Sequence, residues 1–302
     1  MKKLISAFKS NNLEKQTYID QMSLYHRSLY DYCEVIKNTP IESIEIKKDY
    51  INFAISYKES QFIIKTKSYD RRIAPIEIIN FGDYEKYERK IISDLSSKSK
   101  STFDIGANIG FYSLLMSRVA PSSTIHSFEP IPFVYEQLVD NISINNIKNV
   151  SAHNICLSNI EADVELFYDE EFTGKSSIKN ISESSNYKKV KTRSLTLDKF
   201  CIDKKIDNID FIKCDVEGAE KLVIEGAMQS ILKFKPVIFL ELLRKWSKCF
   251  GYHPNELVNI LGKIGYKCYA IGDKVYEIKE IDENTLPTNF LFSCNEINFN
   301  NL

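Results

Sequence analysis

The chain has 302 residues, 43% of them hydrophobic, and its acids and bases balance to a formal net charge of −1. Such a chain builds one large globular domain, with or without an accessory segment. Interspersed charge disfavours a nucleic-acid partner, which calls for a basic face or stripe, and no run approaches the ~18 apolar residues of a membrane span.

The N-terminus MKKLISAFKSNNLEK starts basic but has no sustained apolar stretch, so it reads as no secretory signal. Residues 10–37 carry rough helical spacing (Leu24, Leu29, Tyr32, Ile36) up to Pro40, which disfavours helix at the residue before it. IESIEI, YINFAISY and QFIIKT then alternate apolar and polar residues as strands do. Residues 1–80 are thus expected to form an accessory helix and small β segment. Connecting structure is its plainest role, with a dimer contact or a substrate lid as alternatives; the oligomeric state is not legible.

From about residue 84 the rhythm changes. A helix, GDYEKYERKIISDL, leads into apolar runs, TFDIG, STIHSFEP, NVSAHNI, IDFIKCD and PVIFLEL, which alternate with the helical patterns FYSLLMSRV, FVYEQLVDNISI, AEKLVIEGAMQSI and NELVNILGKI. This alternation predicts an α/β domain over residues 81–302, with a mostly parallel central sheet and helices on both faces. DVELFY and KVKTRSL interrupt it as short β pieces, and KCYAIG, KVYEIK and NFLFSC predict an antiparallel pair finishing one edge. Seven scattered cysteines without a CxxC pair read as buried reduced thiols of a cytoplasmic protein. The four histidines lack zinc-ligand spacing, and frequent Ile, Lys and Asn point to an AT-rich, bacterial genome.

In an open parallel sheet, ligands sit outside the carboxyl ends of strands. The first strand–loop–helix reads Asp104-Ile105-Gly106-Ala107-Asn108-Ile109-Gly110. A dinucleotide pyrophosphate needs a glycine where Asn108 stands, and Asp104 would repel it. S-adenosylmethionine, a cationic sulfonium without phosphate, suits an acid there. Glu129, at the end of the second strand, is placed to accept hydrogen bonds from both ribose hydroxyls. Asp104, Gly106, Asn108, Gly110 and Glu129 are therefore candidate cofactor-binding residues.

The sequence resembles FkbM-type methyltransferases, within the class I S-adenosylmethionine-dependent, Rossmann-like fold. The resemblance runs through GDYE (82–85), FDIGANIGFYS (103–113), SFEP (127–130), NICLSN (154–159), GKSS (174–177), TRSLTLDKF (192–200), IDFIKCDVEGAEKLVIEGA (209–227), KPVIFLEL (235–242), Gly265-Tyr266 and TNFLF (288–292). It implies methyl transfer to a hydroxyl of a sugar, glycan or related natural product. It also implies cofactor contacts at Glu85 and at Ser158, the latter by the adenine, and an acceptor-side loop at Gly174–Ser177.

Methyl transfer needs a nucleophile held in line with the methyl, and a hydroxyl gains from a nearby base. In this architecture the fourth strand lies beside the first, so its end, Lys213-Cys214-Asp215-Val216-Glu217, borders the reacting centre. Asp215 is the first candidate for base or acceptor anchor and Glu217 the second, with Lys213 sharing a face with Asp215. Glu220 suits a helix's first turn, where its charge meets the dipole. Glu241 ends the fifth strand next to Asp215. Two such acids repel unless a proton or cation lies between them; a divalent metal such as Mg²⁺, or the Lys213 charge, would answer, and the sequence leaves this open. His126 reads as strand core or edge, His253 as a loop residue near the acceptor side, and Arg244 with Trp246 as acceptor contacts or solvated loop. A nicotinamide-dependent oxidoreductase and a non-catalytic cofactor-binding module are the rival readings.

Overall fold

The computed structural model describes the backbone of residues 1–57, 60–67, 69–169, 172–179 and 187–297, and their side chains except those of 172–175. The chain opens with α1 (Lys2–Lys9) and α2 (Lys15–Val35), the second capped by Glu14, which accepts the Thr17 N–H at 2.9 Å. The helical spacing of residues 10–37 thus becomes a helix from Lys15, with a separate short one before it. β1 (Ile41–Ile46), β2 (Ile51–Tyr57) and β3 (Ser60–Thr66) pair antiparallel in that order, as their alternation predicts. α3 (Ala74–Phe81) begins with Pro75 in its first turn, where a missing N–H costs nothing, and stops at Gly82, whose φ of +85° suits glycine.

The main domain follows as α4 (Lys86–Ser97), β4 (Ser101–Ile105), α5 (Phe111–Val119), β5 (Thr124–Phe128), α6 (Pro132–Ile144) and β6 (Val150–His153). Next come β7 (Cys156–Leu157), β8 (Ala162–Asp169), β9 (Phe172–Ser177) and β10 (Lys188–Leu195), which form a separate four-stranded sheet in the order β7-β10-β8-β9. The chain then resumes with α7 (Leu197–Lys204), β11 (Phe211–Cys214), α8 (Glu220–Glu225), α9 (Met228–Phe234), β12 (Val237–Glu241), α10 (Arg244–Cys249), α11 (Asn255–Gly262), β13 (Lys267–Ile271), β14 (Val275–Ile278) and β15 (Asn289–Ser293).

The large sheet runs β14-β13-β15-β12-β11-β4-β5-β6, parallel from β12 to β6. This is the expected Rossmann-like arrangement, and β13 and β14 form the antiparallel pair that finishes one edge. The third late strand, β15, lies between β12 and β13, pairing antiparallel with both. Its residues explain the slot: Phe290 to Ser293 are all buried, as a strand covered on both faces requires, whereas Tyr276 and Glu277 of the true edge strand β14 are exposed. The stretch AEKLVIEGAMQSI also differs, breaking into α8 and α9 at Gly226. A side chain there would meet the Ser158 carbonyl oxygen at 2.0 Å, so the break lets the 156–158 strand end come close.

Successive residues of a strand face opposite ways. Phe103 and Ile105 of β4, with Ile212 and Cys214 of β11, enter a core with α7, α8, α9 and α11. Phe211 and Phe239 point into a second core with α4, α5, α6 and the N-terminal sheet, through Phe53, Ile55, Phe62 and Ile64. On that face Ser127, Asp104 and Lys213 stand side by side across β5, β4 and β11. Four of the cysteines are buried as expected, but Cys33 and Cys249 are exposed, and all seven are unpaired. Among the described residues no helix is long and apolar enough to cross a membrane.

The edge of β3 is closed by an unusual device. Gln137, Asn141 and Asn145, four residues apart on one stripe of α6 and its cap, accept the N–H groups of Lys67, Ile63 and Lys65 through their carboxamide oxygens. Asn145 takes Ile63 (2.8 Å), Asn141 takes Lys65 (2.7 Å) and Gln137 takes Lys67 (3.5 Å). A helix rises ~6 Å over four residues and a strand ~6.6 Å over two, so the two ladders match. Asn145 also donates to the Ile63 carbonyl at 2.7 Å. Asn145→Ala removes both bonds and should lower stability by about 2–3 kcal/mol in urea unfolding. Glu136→Ala, on the exposed side of α6, should stay within about 0.5 kcal/mol of the parent.

Candidate active site

The carboxyl ends of β4, β5, β11 and β12 open onto a cavity of about 730 Å³. Its floor is the Ile105–Ile109 loop, and Glu129, Cys156 and Asp215–Glu217 form its sides. Leu243 and Trp246 close one flank, and residues 72–85 supply the opposite one through Arg72, Glu77, Phe81, Tyr84 and Glu85.

Glycine at 106 is set by contact. Its φ is +80°, and a Cβ there would lie 1.8 Å from the Asp215 carbonyl oxygen, so the loop after β4 touches the end of β11 only without a side chain. Gly110 (φ +96°) begins α5, where a Cβ would meet Leu138 at 2.6 Å. Between them Asn108 (φ 49°) closes the turn by accepting the Ile109 N–H on its own Oδ1 at 2.7 Å. Glu129 is tied to this loop: Oε2 accepts the Asn108 N–H (3.0 Å) and Oε1 the Ile131 N–H (2.9 Å). Burial pushes its carboxyl up to about 7 against the pull of those two bonds. A carboxylate offers about four lone-pair positions, so two remain for a ligand.

Asp104 lies beneath the floor rather than on it. It is fully buried, takes the Ser113 hydroxyl on Oδ2 at 2.6 Å, and sets Oδ1 3.7 Å from the Lys213 Nζ. Its expected place at the cofactor is thereby corrected, because alternation along β4 turns it toward α5 and leaves Ile105 and Gly106 at the cavity. Lys213 reaches Asp215 Oδ2 at 3.3 Å, and its ammonium lies 5.2 Å from the centroid of the Tyr112 ring. Burial opposes its charge, but Asp215, Asp104 and Glu85 outweigh burial and raise its pKa above the ordinary lysine value.

Asp215, Glu217, Glu241 and Glu85 converge on the cavity. Burial first, then the Asp215 carboxylate, push both Glu217 and Glu241 well above the usual range. At the expected Asp215–Glu241 conflict, Lys213 supplies a counter-charge 3.3 Å from Asp215, and the Glu241 carboxyl is held well above the usual range by burial and by Asp215. Among the described residues no group of three or more acids, histidines or cysteines is arranged to hold a metal ion. Glu217 has a φ of 57°, and its buried Oε2 makes no hydrogen bond. The turn that presents it is held by Glu220, whose Oε1 accepts the N–H groups of Val216 (3.0 Å) and Gly218 (3.1 Å) while Tyr252 donates to Oε2 (3.2 Å).

Ser158 is 2% exposed and lies off the cavity wall, held against α8 by the close approach of Gly226. Trp246 lines the cavity, but Arg244 turns away to the carbonyls of Asp282 and Thr285. His253 is exposed and binds the Asn255 N–H at 3.3 Å, while His126 pairs with His153 at 3.2 Å in the strand. Within GKSS, Ser176 and Ser177 reach the cavity and Ser177 donates to the Glu217 carbonyl at 3.0 Å; the side chains of Gly174 and Lys175 fall outside the described residues. Sequence reasoning missed Tyr112, Cys156 and the α3 residues. Tyr112 stands inside the matched run FDIGANIGFYS, yet nothing in its spacing separates it from an ordinary core aromatic.

A glycine-bent loop, an acid tied to it and a carboxylate-lined strand end make this the ligand cleft of an open α/β enzyme fold. Residues 104–268 match the Methyltransferase FkbM domain, and the chain belongs to that family. It is similar to Methyltransferase sdnD of Sordaria araneosa, 30% identical over 219 residues that cover 63% of this chain and 77% of that protein. Methyltransferase 1 of Beauveria bassiana (strain ARSEF 2860) is 28% identical over 140 residues, 41% of this chain and 56% of that one. The crystal structure of Methyltransferase FkbM from Methylobacillus flagellatus KT aligns over 72% of this chain and 53% of its own, at 15% identity and a TM-score of 0.42. The chain thus spans little more than half the length of these last two proteins.

The buried acids carry a pH consequence. Glu129 and Glu220 titrate at about 7, and Glu217 and Glu241 are also raised, so each native carboxyl keeps a proton that the unfolded chain has released. Fewer protons bound in the unfolded state means that stability falls as pH rises. Below about pH 6.5 the histidines His126 and His153, their pKa values lowered by burial, act the opposite way. Urea unfolding should therefore show stability declining from about pH 6.5 to about pH 8, by roughly 1 kcal/mol per unit or more. Glu217→Gln combined with Glu241→Gln should flatten that decline.

Proposed function

We propose that this chain is an S-adenosylmethionine-dependent O-methyltransferase whose acceptor is a hydroxyl of a carbohydrate, glycan or related natural product. The observation that carries the reading is a single cavity lined by both the Gly106–Asn108 loop with Glu129 and the carboxylates at the ends of β11 and β12. No basic side chain belongs to that loop to receive a pyrophosphate, and Asn108 fills the position a dinucleotide needs open. That chemistry disfavours a nicotinamide cofactor and fits a phosphate-free, cationic one.

S-adenosylmethionine supplies an electrophilic methyl group on a sulfonium centre. Glu129 would hold the ribose hydroxyls on its free lone pairs, with the 106–108 backbone beside it. Asp215 accepts the proton of the acceptor hydroxyl: it lines the cavity, and Lys213, 3.3 Å away, holds its carboxylate in place. Glu217 and Glu241, whose carboxyls burial holds well above the usual range, lie beside it as hydrogen-bond partners for acceptor oxygens. Leu243 and Trp246 give one flank of the cavity apolar surface that limits water at the nucleophile. Residues 72–85 bring the N-terminal segment to the same cavity.

Incubation with methyl-labelled cofactor and a panel of monosaccharides and polyols, read by mass spectrometry, tests the reaction; label on no hydroxyl of any acceptor would sink the O-methylation reading. Asp215→Asn keeps the shape and should bind S-adenosylhomocysteine like the parent while losing ~10²-fold or more in turnover. Wild-type turnover from that variant would move the base to Glu217.

A further inference from the structure

Glu217 is held by its neighbours everywhere except at its carboxyl. Its φ of 57° is a left-handed conformation that a glutamate keeps only where contacts impose it. Glu220 fixes the N–H groups on either side of it, and Ser177 of β9 donates to its carbonyl at 3.0 Å. Gly218 (φ +97°) then lets α10 close on the turn. A Cβ there would meet the Phe250 ring at 3.0 Å and the Trp246 backbone at 3.1 Å. The side chain so presented lines the cavity, yet its Oε2 is buried without a hydrogen-bond partner. A carboxyl oxygen left unpaired by a turn this firmly held calls for a partner from outside the chain.

The charges around the cavity say what that partner carries. Among the described residues two cations line it, and both are taken: Lys213 by Asp104 and Asp215, and Arg72 by Glu77 at 2.6 Å. Glu129 is bonded to the Asn108 and Ile131 N–H groups, Glu85 accepts the Tyr112 hydroxyl at 2.5 Å, and Asp83 holds Arg89 at 2.7 Å. Glu241 shares a hydrogen bond with Asp215. Glu217 is thus left among acids: burial first, then Asp215, Glu241 and Glu220, hold its carboxyl well above the usual range, and Lys213 pulls weakly the other way. A cationic ligand relieves that repulsion, and an anionic one adds to it. The contacts that fix Glu217 come from β9 and α10, whereas the loop and Glu129 that the reading above gives to the cofactor are bonded to each other.

We propose that the acceptor is an amino sugar, whose ammonium is received by Glu217 on the Trp246 side of the cavity while one of its hydroxyls meets Asp215. The assignment rests on the reading that this cavity carries out S-adenosylmethionine-dependent O-methylation. Trp246 adds aromatic surface, on which a cation or the apolar face of a sugar ring rests. Bound to Glu217, the ammonium keeps its proton. Its nitrogen then has no lone pair to take a methyl group, and the hydroxyl remains the nucleophile. The same acids turn away acceptors that carry carboxylate or phosphate groups.

The test is methyl transfer, at about pH 7 where such an amine is mostly protonated, to glucosamine, N-acetylglucosamine, glucose and glucuronic acid, and to the matching galactose and mannose sets. N-acetylation removes the charge and keeps the ring. In at least one set the amino sugar should exceed its N-acetylated and neutral counterparts about tenfold or more in kcat/KM, with the acid poorest. Glu217→Gln should bring that ratio to within about threefold, chiefly by raising KM for the amino sugar, and Glu217→Asp should restore part of it. S-adenosylhomocysteine affinity, read by calorimetry, should stay parent-like in both variants. Neutral or acidic sugars methylated as fast as the amino sugars, or an unchanged ratio in Glu217→Gln, overturns the proposal. So does a loss of S-adenosylhomocysteine affinity in that variant, which would make Glu217 a cofactor residue. Should Glu217→Gln fail to fold, the parent chain's ratios and Glu217→Asp decide alone. Label on nitrogen, or on no member of any set, would instead overturn the O-methylation reading itself, and this proposal with it.

Discussion

The Lys213 ammonium, held at the cavity between Asp104 and Asp215, is the interaction on which the rest of the site depends. Taking an ammonium out of water costs several kcal/mol, and only close, well-bonded carboxylates offset it. Here the two partners come from different places. Asp104 sits opposite Lys213 in the β4–β11 register and is fixed by Ser113, which in turn bonds Ser127 of β5. Asp215 stands two residues further along the same face of β11, at the point where the chain leaves the sheet. One buried charge thus ties β4, β5, β11 and α5 together and sets the direction of the carboxylate that faces the ligand. Removing both acids would strand the ammonium, a loss of ~3–5 kcal/mol for an unpaired buried charge. Burial first, and then the excess of acids over the one cation, push the other carboxylates toward protonation.

Backbone strain tells the same story from a different direction. Non-glycine residues in the left-handed region persist only where surrounding contacts hold them. Glu85 is held by the Tyr112 hydroxyl, Asn108 by its own side-chain turn and by Glu129, and Glu217 by the Glu220 carboxylate that locks Val216 and Gly218. In each case a buried polar group fixes a residue that lines the cavity. The floor is therefore preorganised, and its polar groups are aimed before any ligand arrives.

Much of this was legible in the amino-acid sequence, for definite reasons. The parallel strands are continuous apolar runs, and Gly106, Gly110, Glu129, Asp215 and Glu217 occupy strand ends and turns where residue type alone carries geometric meaning. The order of the last strands was not legible. β15 and β14 differ in burial rather than in length, and the pairing of β15 with two partners depends on contacts far away in the chain. Asp104 was misplaced because a strand residue's face follows from register, and register is fixed by neighbouring strands rather than by the local run. Ser158 was misplaced for a similar reason: its burial is set by Gly226, 68 residues later.

The N-terminal segment shows why function was least readable there. Its three strands alternate plainly enough, but an alternating strand does not say what covers its edge. The answer lies in Gln137, Asn141 and Asn145, polar residues on an otherwise apolar helix that sequence reading passes over as tolerated exceptions. Their carboxamides bind the edge of β3 to α6, and α6 packs against the α5 that carries Tyr112 and Ser113. The sheet is thereby built into the same core as the cofactor loop. From that anchorage the chain runs through residues 72–85, which wall the cavity and deliver Glu85 to Tyr112. A segment that looked like connecting structure thus fixes one side of the cavity, through hydrogen bonds between residues about 80 positions apart.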